Sequence, residues 1–209
     1  FAAARLYHAE VEGLDPTARQ VFLKGRPPLS YDLLSINTGS RPSTLDVPGA
    51  QQHALSAKPI DLWLQGWQAL QARVLAARGA VRIGVVGGGA GGVELALATQ
   101  YRLRQLLREQ GDDPARLGFE LLTEAADILV DHNAGVRRRF NRVLRARGIA
   151  VHTGHRVVEV TPSSLIISGR PARAVDAVLW VTRAAAPGWA REAGLAVDAC
   201  HAEWQLLPG

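Results

Sequence analysis

The decapeptide VVGGGAGGVE, residues 85–94, constrains the fold more than any other part of the sequence. Five of its ten residues are glycine. The apolar run Val81–Val86 leads into it. Val93, Ala96, Leu97, Leu103, Leu106 and Leu107 follow, an apolar stripe of helical period starting near Gly91. A buried strand that turns at once into a helix opens a βαβ unit, so the next strand should lie parallel to the first.

The rest of the chain continues that alternation. Gly111-Asp112-Asp113-Pro114 should stop the helix, and Phe119–Leu122 should be the second strand. Asn133 reads as the cap of another helix, with Val136, Phe140, Val143 and Leu144 turned inward and Gly148 at its end. Ile149–His152 is strand-like. Arg156–Val160 and Leu165–Ser168 read as a hairpin around Pro162-Ser163, and Ala177–Val181 as a buried strand. Upstream, Ala9–Val11 and Arg19–Leu23 read as short strands flanking GLDPT, and Leu33–Ile36 is a further apolar run. Asp61 reads as the cap of a helix that carries Trp63, Trp67, Leu70 and Val74 on one stripe, with Arg78-Gly79 at its end. The tryptophans read as core or interdomain packing rather than a ligand platform. The expected fold class is α/β: a Rossmann-like parallel sheet with helical crossovers and a β-hairpin layer.

Within that frame the spacing Gly87-x-Gly89-x-x-Gly92 acquires a meaning that a lone GxGxxG lacks. Gly87 permits the tight turn. Gly89, without a side chain, lets a pyrophosphate approach the backbone. Gly92 lets the helix lie close to the strand. Gly88, Ala90 and Gly91 complete the candidate cofactor-binding loop. The helix start offers free N–H groups and about half a positive charge. The competing reading is a glycine-rich turn that binds nothing. Glu124, at the end of the second strand, is placed to accept hydrogen bonds from an adenosine ribose, favouring NAD over NADP. Its distance from the last glycine exceeds the usual spacing of about 20 residues, so the assignment rests on strand position. The alternative is a solvent-facing strand-end carboxylate, and nearby arginines keep NADP open.

Composition narrows the class. The chain has 209 residues, 47% of them hydrophobic, enough for a substantial core. It begins with Phe1 and contains no Met, which reads as a piece of a longer protein. No apolar run reaches the roughly 18 residues of a membrane span, and no signal pattern stands out. The single Cys200 allows no internal disulfide and no CxxC centre, which points to a reducing, cytoplasmic setting. The net charge of +5 is almost all arginine, clustered in Arg102–Arg108 and Arg137–Arg147. Both segments also have apolar faces, so the arginines read as solvated surface rather than a nucleic-acid site. The six histidines lack a metal-ligand spacing, and no metal is expected. Asp127 and Asp131 make no argument for a carboxylate pair, and no catalytic acid–base pair is expected.

Three stretches make the chain resemble the pyridine nucleotide-disulfide oxidoreductase superfamily, and within it type II NADH dehydrogenase-like flavoproteins and the similar modules fused to selenide, water dikinase. They are YDLLSINTGSRP (31–42), IGVVGGGAGGVELALA (83–98) and AVLWVTRAAAPGWAREAGLAVD (177–198), with LLTEAADIL and HNAGVRRRF in support. The resemblance implies a nicotinamide-nucleotide domain inserted into a flavin domain. Residues 1–46 would be a partial flavin-domain β segment, 47–79 a linker and helix, 80–182 the NAD(H)-binding domain, and 183–209 the start of the return. FAD would be bound by the longer parent, and the fragment would bind it poorly.

By the same resemblance, a hydride would pass from NADH to flavin and then to a second acceptor, a quinone being one candidate. Glu94 would lie near the nicotinamide ribose or amide, against the plainer reading of a carboxylate that suits the helix start; Thr182 would lie near the nicotinamide. Arg183 stands where relatives usually carry glycine, which puts that part of the site in doubt. A homodimer is allowed. The alternatives are a disulfide or sulfide reductase with redox cysteines outside this chain, and a non-catalytic NAD(H)-sensing module.

Overall fold

The computed structural model describes residues 4–37, 41–42, 47–58, 60–182, 184–185 and 192–195. The chain divides into two compact units, Phe1–Arg41 with Ala184–Gly209, and Pro42–Arg183.

In the first unit, β1 (Val11–Asp15) pairs antiparallel with β2 (Gln20–Leu23), and β2 pairs with β3 (Leu29–Ser30). The sequence reading broke the first strand before GLDPT. The strand instead runs on to Asp15, absorbing Gly13 at a register shift. The turn comes after Asp15, whose carboxylate accepts the Ala18 N–H at 2.8 Å. The apolar run Leu33–Ile36 forms no strand, and Leu33 is 91% exposed. The chain leaves this unit at β4 (Arg41–Pro42).

The second unit continues with α1 (Ala50–His53), β5 (Ala54–Ser56), α2 (Ile60–Ala76), β6 (Val81–Val86) and α3 (Ala90–Glu109). After a single 3-10 turn come β7 (Leu117–Leu122), α4 (Ala134–Ala146) and β8 (Ile149–His152). Then follow β9 (Val157–Val160), β10 (Ser164–Ile167), β11 (Arg173–Ala174) and β12 (Ala177–Trp180), with β13 (Ala184–Ala185) beyond. Asp61 lies inside the first turn of α2 rather than ahead of it as a cap. Asn133 does cap α4, its side-chain oxygen accepting the Val136 N–H at 3.0 Å.

Five strands make one parallel sheet in the order β5-β12-β6-β7-β8. Toward their carboxyl ends its inner strands are apolar on both faces, as parallel strands covered on both sides must be, while Arg82 of β6 and Glu120 of β7 sit nearer the other end. On one face Ile83, Val85, Leu121, Ile149 and Leu179 share a core cluster with Val74 of α2, Val93, Ala96, Leu103 and Leu107 of α3 and Leu144 of α4. On the other, Val86, Leu122, Val178 and Trp180 meet Val157, Val160, Leu165, Ile167 and Val175 beneath the antiparallel sheet β11-β10-β9. Trp63 and Trp67 stack at 6.1 Å against the helical core, so their role is packing.

Several short elements are not legible in the sequence, among them β3, β4, α1 and β13, and two more build the sheets of the second unit. Strand β5 is three residues long, in a stretch taken for linker, and adds itself to the edge of β12. The hairpin gains β11, two residues that pair with β10.

Candidate functional site

The chain runs outward from β6 to β7 and β8, then returns to lay β12 on the opposite side of β6. The order therefore reverses beside β6, and in open α/β sheets a crevice forms at the carboxyl ends of strands at such a point. Those ends are level here: Val86 stands opposite Leu122 and Trp180, and Leu122 opposite His152. The glycine turn sits on top of them.

All but one of these glycines have a neighbour that explains them. Gly87 has φ 125, a conformation open to glycine and strained for other residues. It abuts the Val181 carbonyl, and its N–H donates to Leu122 O at 2.9 Å. A side chain on Gly88 would meet Thr123, with Thr123 Oγ1 at 2.8 Å, and the Gly88 carbonyl accepts the Leu129 N–H at 2.7 Å. Gly92, buried in the first turn of α3, faces the Gly87 carbonyl oxygen with no room for a methyl group. Gly91 lies against Val181. Gly89 is the exception. A side chain there would meet nothing within 4 Å among the described residues, so its absence serves open space rather than packing.

The start of α3 adds a charge argument. Gly89 is its N-cap, no side chain bonds the first turn, and no acid sits there. The first N–H groups of a helix lack intrahelical partners, and their dipoles point positive charge outward. An uncapped helix end behind a bare turn is suited to receive an anion.

Thr123, Val181 and the main chain of Thr182 crowd the positions that side chains at Gly87, Gly88 and Gly91 would occupy. Thr182 Oγ1 is buried without a hydrogen-bond partner among the described residues. Glu124 is exposed one residue past Thr123, with Arg156 Nε 3.9 Å from its carboxylate. Glu94 lies on the exposed side of α3, with no ion pair or hydrogen bond among the described residues. Arg183 lies outside the described residues. Sequence reasoning missed Thr123, Val181 and Arg156, because their nearness to the turn comes from the sheet. It also missed Leu129, a buried residue at φ 52 tied to Gly88. A non-glycine residue held at positive φ beside a bare loop is a local strain.

A cavity of about 690 Å³ lies elsewhere, against β6, β7 and β8 beneath Arg170–Ala174. On its floor Glu120 accepts a hydrogen bond from Arg173 at 2.8 Å, and His152 Nε2 lies 3.3 Å from the same oxygen. Burial, helped by Arg173, holds the His152 imidazole below its ordinary pKa and so neutral near pH 7. The glycine turn lines none of this cavity. Among the described residues no helix is long and apolar enough to cross a membrane, and no metal-ligand group gathers.

Known proteins resemble this chain in sequence or share its fold. A demethylphylloquinone reductase, NdbB, of Synechocystis is 28% identical over 179 residues, covering 82% of this chain and 42% of its own length. An NADH dehydrogenase-like protein, YutJ, of Bacillus subtilis is 27% identical over 173 residues, covering 83% and 44%. The chain thus spans less than half the length of either relative. The fold matches NDH2 of Plasmodium falciparum, solved with NADH, at a TM-score of 0.74 and 17% identity over 86% of this chain and 41% of that one. It matches the sulfide:quinone oxidoreductase of Aquifex aeolicus at 0.77 and 19%, over 95% and 47%. The model of the pyridine nucleotide-disulphide oxidoreductase family matches residues 2–201. On the extent of that match, the chain belongs to the pyridine nucleotide-disulphide oxidoreductase family.

Proposed function

We infer that this chain supplies the NADH-binding part of an FAD-dependent oxidoreductase whose further acceptor is a quinone. In this reading residues 80–182 bind the nicotinamide nucleotide. Residues 1–46 belong to a flavin domain, 47–79 are linker and helix, and 183–209 begin the return. The observation that carries the reading is the uncapped amino end of α3 behind a turn left open at Gly89. The relatives' names fit it, one being a quinone reductase and the other NADH dehydrogenase-like.

When bound, the nicotinamide supplies a hydride and the flavin takes it up, so the protein has to bind, orient and keep water out. The main chain of Gly87, Gly88, Gly89, Ala90, Gly91 and Gly92 would hold the pyrophosphate with the help of the α3 dipole. Glu124 would accept the adenosine ribose hydroxyls. Thr182, whose buried hydroxyl has no partner among the described residues, would bond the nicotinamide end. Glu94, on the first turns of α3, would face the nicotinamide ribose.

The test is a calorimetric titration of NADH into the folded chain. Saturable binding at one site per chain is expected, weakened when Gly89 gains a side chain. A well-folded sample that takes up no NADH overturns the reading.

A further inference from the structure

We propose that Arg156 lets this site accept a 2′-phosphate as well as a 2′-hydroxyl, so that the chain takes NADPH and NADH with little discrimination. The proposal rests on the reading of the glycine turn as a dinucleotide site.

A carboxylate alone at the end of β7 would repel a 2′-phosphate. Here Glu124 is not alone. Arg156 Nε lies 3.9 Å from its Oε2, and both side chains are about three-quarters exposed, at 74% and 73%. The pairing is no accident of two mobile side chains, because the backbone brings the two loops together. Thr123 N–H donates to His152 O at 3.0 Å, His155 N–H to Thr123 O at 2.8 Å, and Gly154 N–H to Ala125 O at 2.9 Å. On its far side the Arg156 carbonyl accepts the Ser168 N–H at 2.9 Å. Arg156 is thus fixed at its main chain beside Glu124 while its guanidinium remains in water.

That combination suits a switchable partner. An exposed ion pair at this distance is weak and screened, so the guanidinium gives up little when it turns away. Facing a ribose diol, it neutralises part of the Glu124 charge and leaves the carboxylate free to accept. Facing a 2′-phosphate, it offers a planar fork that matches phosphate geometry. Among the described residues, Arg156 has no other ion-pair partner to hold it back.

The experiment titrates the chain, Arg156→Ala and Glu124→Gln with NADH and with NADPH in parallel. The parent should bind NADPH within about tenfold of NADH. Arg156→Ala should lose about tenfold or more in NADPH affinity, as for a lost charge-assisted hydrogen bond, and keep NADH within about threefold. Glu124→Gln should move the two affinities in opposite senses, weakening NADH and strengthening NADPH. A parent that binds NADH and rejects NADPH by more than about a hundredfold overturns the proposal. So does an Arg156→Ala variant that weakens both nucleotides alike, or neither. If the parent binds neither nucleotide, the dinucleotide reading itself falls, and this one with it. The NADH arm tells the two failures apart, and retained NADH binding shows that the exposed substitution has not unfolded the chain.

Discussion

Replacing Gly92 with alanine sets two ordinary expectations against each other. Inside a helix the change should stabilise by about 1 kcal/mol, since alanine is the better helix former. In this chain, however, the new methyl would fall on the Gly87 carbonyl oxygen, with the Gly87 carbonyl carbon only 2.9 Å away. Both atoms are main chain. The turn cannot step aside, because Gly87 is held by its bond to Leu122 O and by the Val181 carbonyl against it. Helix α3 must lift instead, and with it Val93 and Ala96, which are 1% and 0% exposed. Forcing a methyl into a packed site costs about 1–3 kcal/mol, and the rigid partner argues for the upper end. Setting about 3 kcal/mol lost against about 1 gained leaves a net loss of about 2 kcal/mol. In a chain of this size that lowers Tm by roughly 4–8 °C.

Gly89→Ala is the matched control. It lies in the same loop at φ −74 and ψ −177, extended backbone that alanine adopts freely, with nothing among the described residues within 4 Å of the added carbon. Its stability should stay within about 0.5 kcal/mol of the parent, a slightly poorer cap offset by a less flexible unfolded chain. Its NADH affinity should fall. Thermal melts by circular dichroism on the three proteins, each with an NADH titration, decide the matter. A Gly92→Ala protein as stable as its parent would refute the close-approach argument. Equal destabilisation by Gly89→Ala would refute the division between packing and binding glycines.

The remaining predictions concern the scaffold. Arg116 donates to Val74 O at 2.7 Å, to Gly79 O at 2.9 Å and to Asp112 at 2.9 Å, with its side chain only 10% exposed. Arg116→Ala should cost about 3 kcal/mol in a denaturant titration, and Arg116→Lys should recover little, since one ammonium cannot span three acceptors. Asn133→Ala should cost about 1 kcal/mol and Asn133→Asp should restore it, because either oxygen caps α4. His152, with its pKa depressed from 6.5 by burial, takes up its proton less readily in the folded state than in the unfolded one. Stability should therefore be full above about pH 6.5 and fall as pH drops through that value toward the folded pKa. His152→Gln should flatten that slope in denaturant melts at pH 7.5 and 5; an unchanged slope would rule the residue out.

The central strand–helix alternation was legible because its signals are local. The period of Val93–Leu107 and the cap at Asn133 lie within a turn or two of the elements they define. What was hidden depends on distant partners. Strand β5 has three residues and exists only because β12 pairs with it. The need for glycine at position 88 comes from Thr123, a neighbour only once β6 and β7 are aligned. Arg156 meets Glu124 because two loops are sewn together by main-chain bonds that no residue type announces. At the edge of the pattern, Leu33–Ile36 looked apolar enough for a strand, yet hydropathy alone gave it no partner to pair with.

The late arrival of β12 has a consequence for synthesis. It is the piece that joins β5 to β6, yet it leaves the ribosome after every other strand of that sheet. Until Ala177–Trp180 emerges, β6 carries an open rim of unpaired amides, the kind of edge that recruits other chains. A nascent chain paused near Arg173 should therefore be the stage most in need of a chaperone.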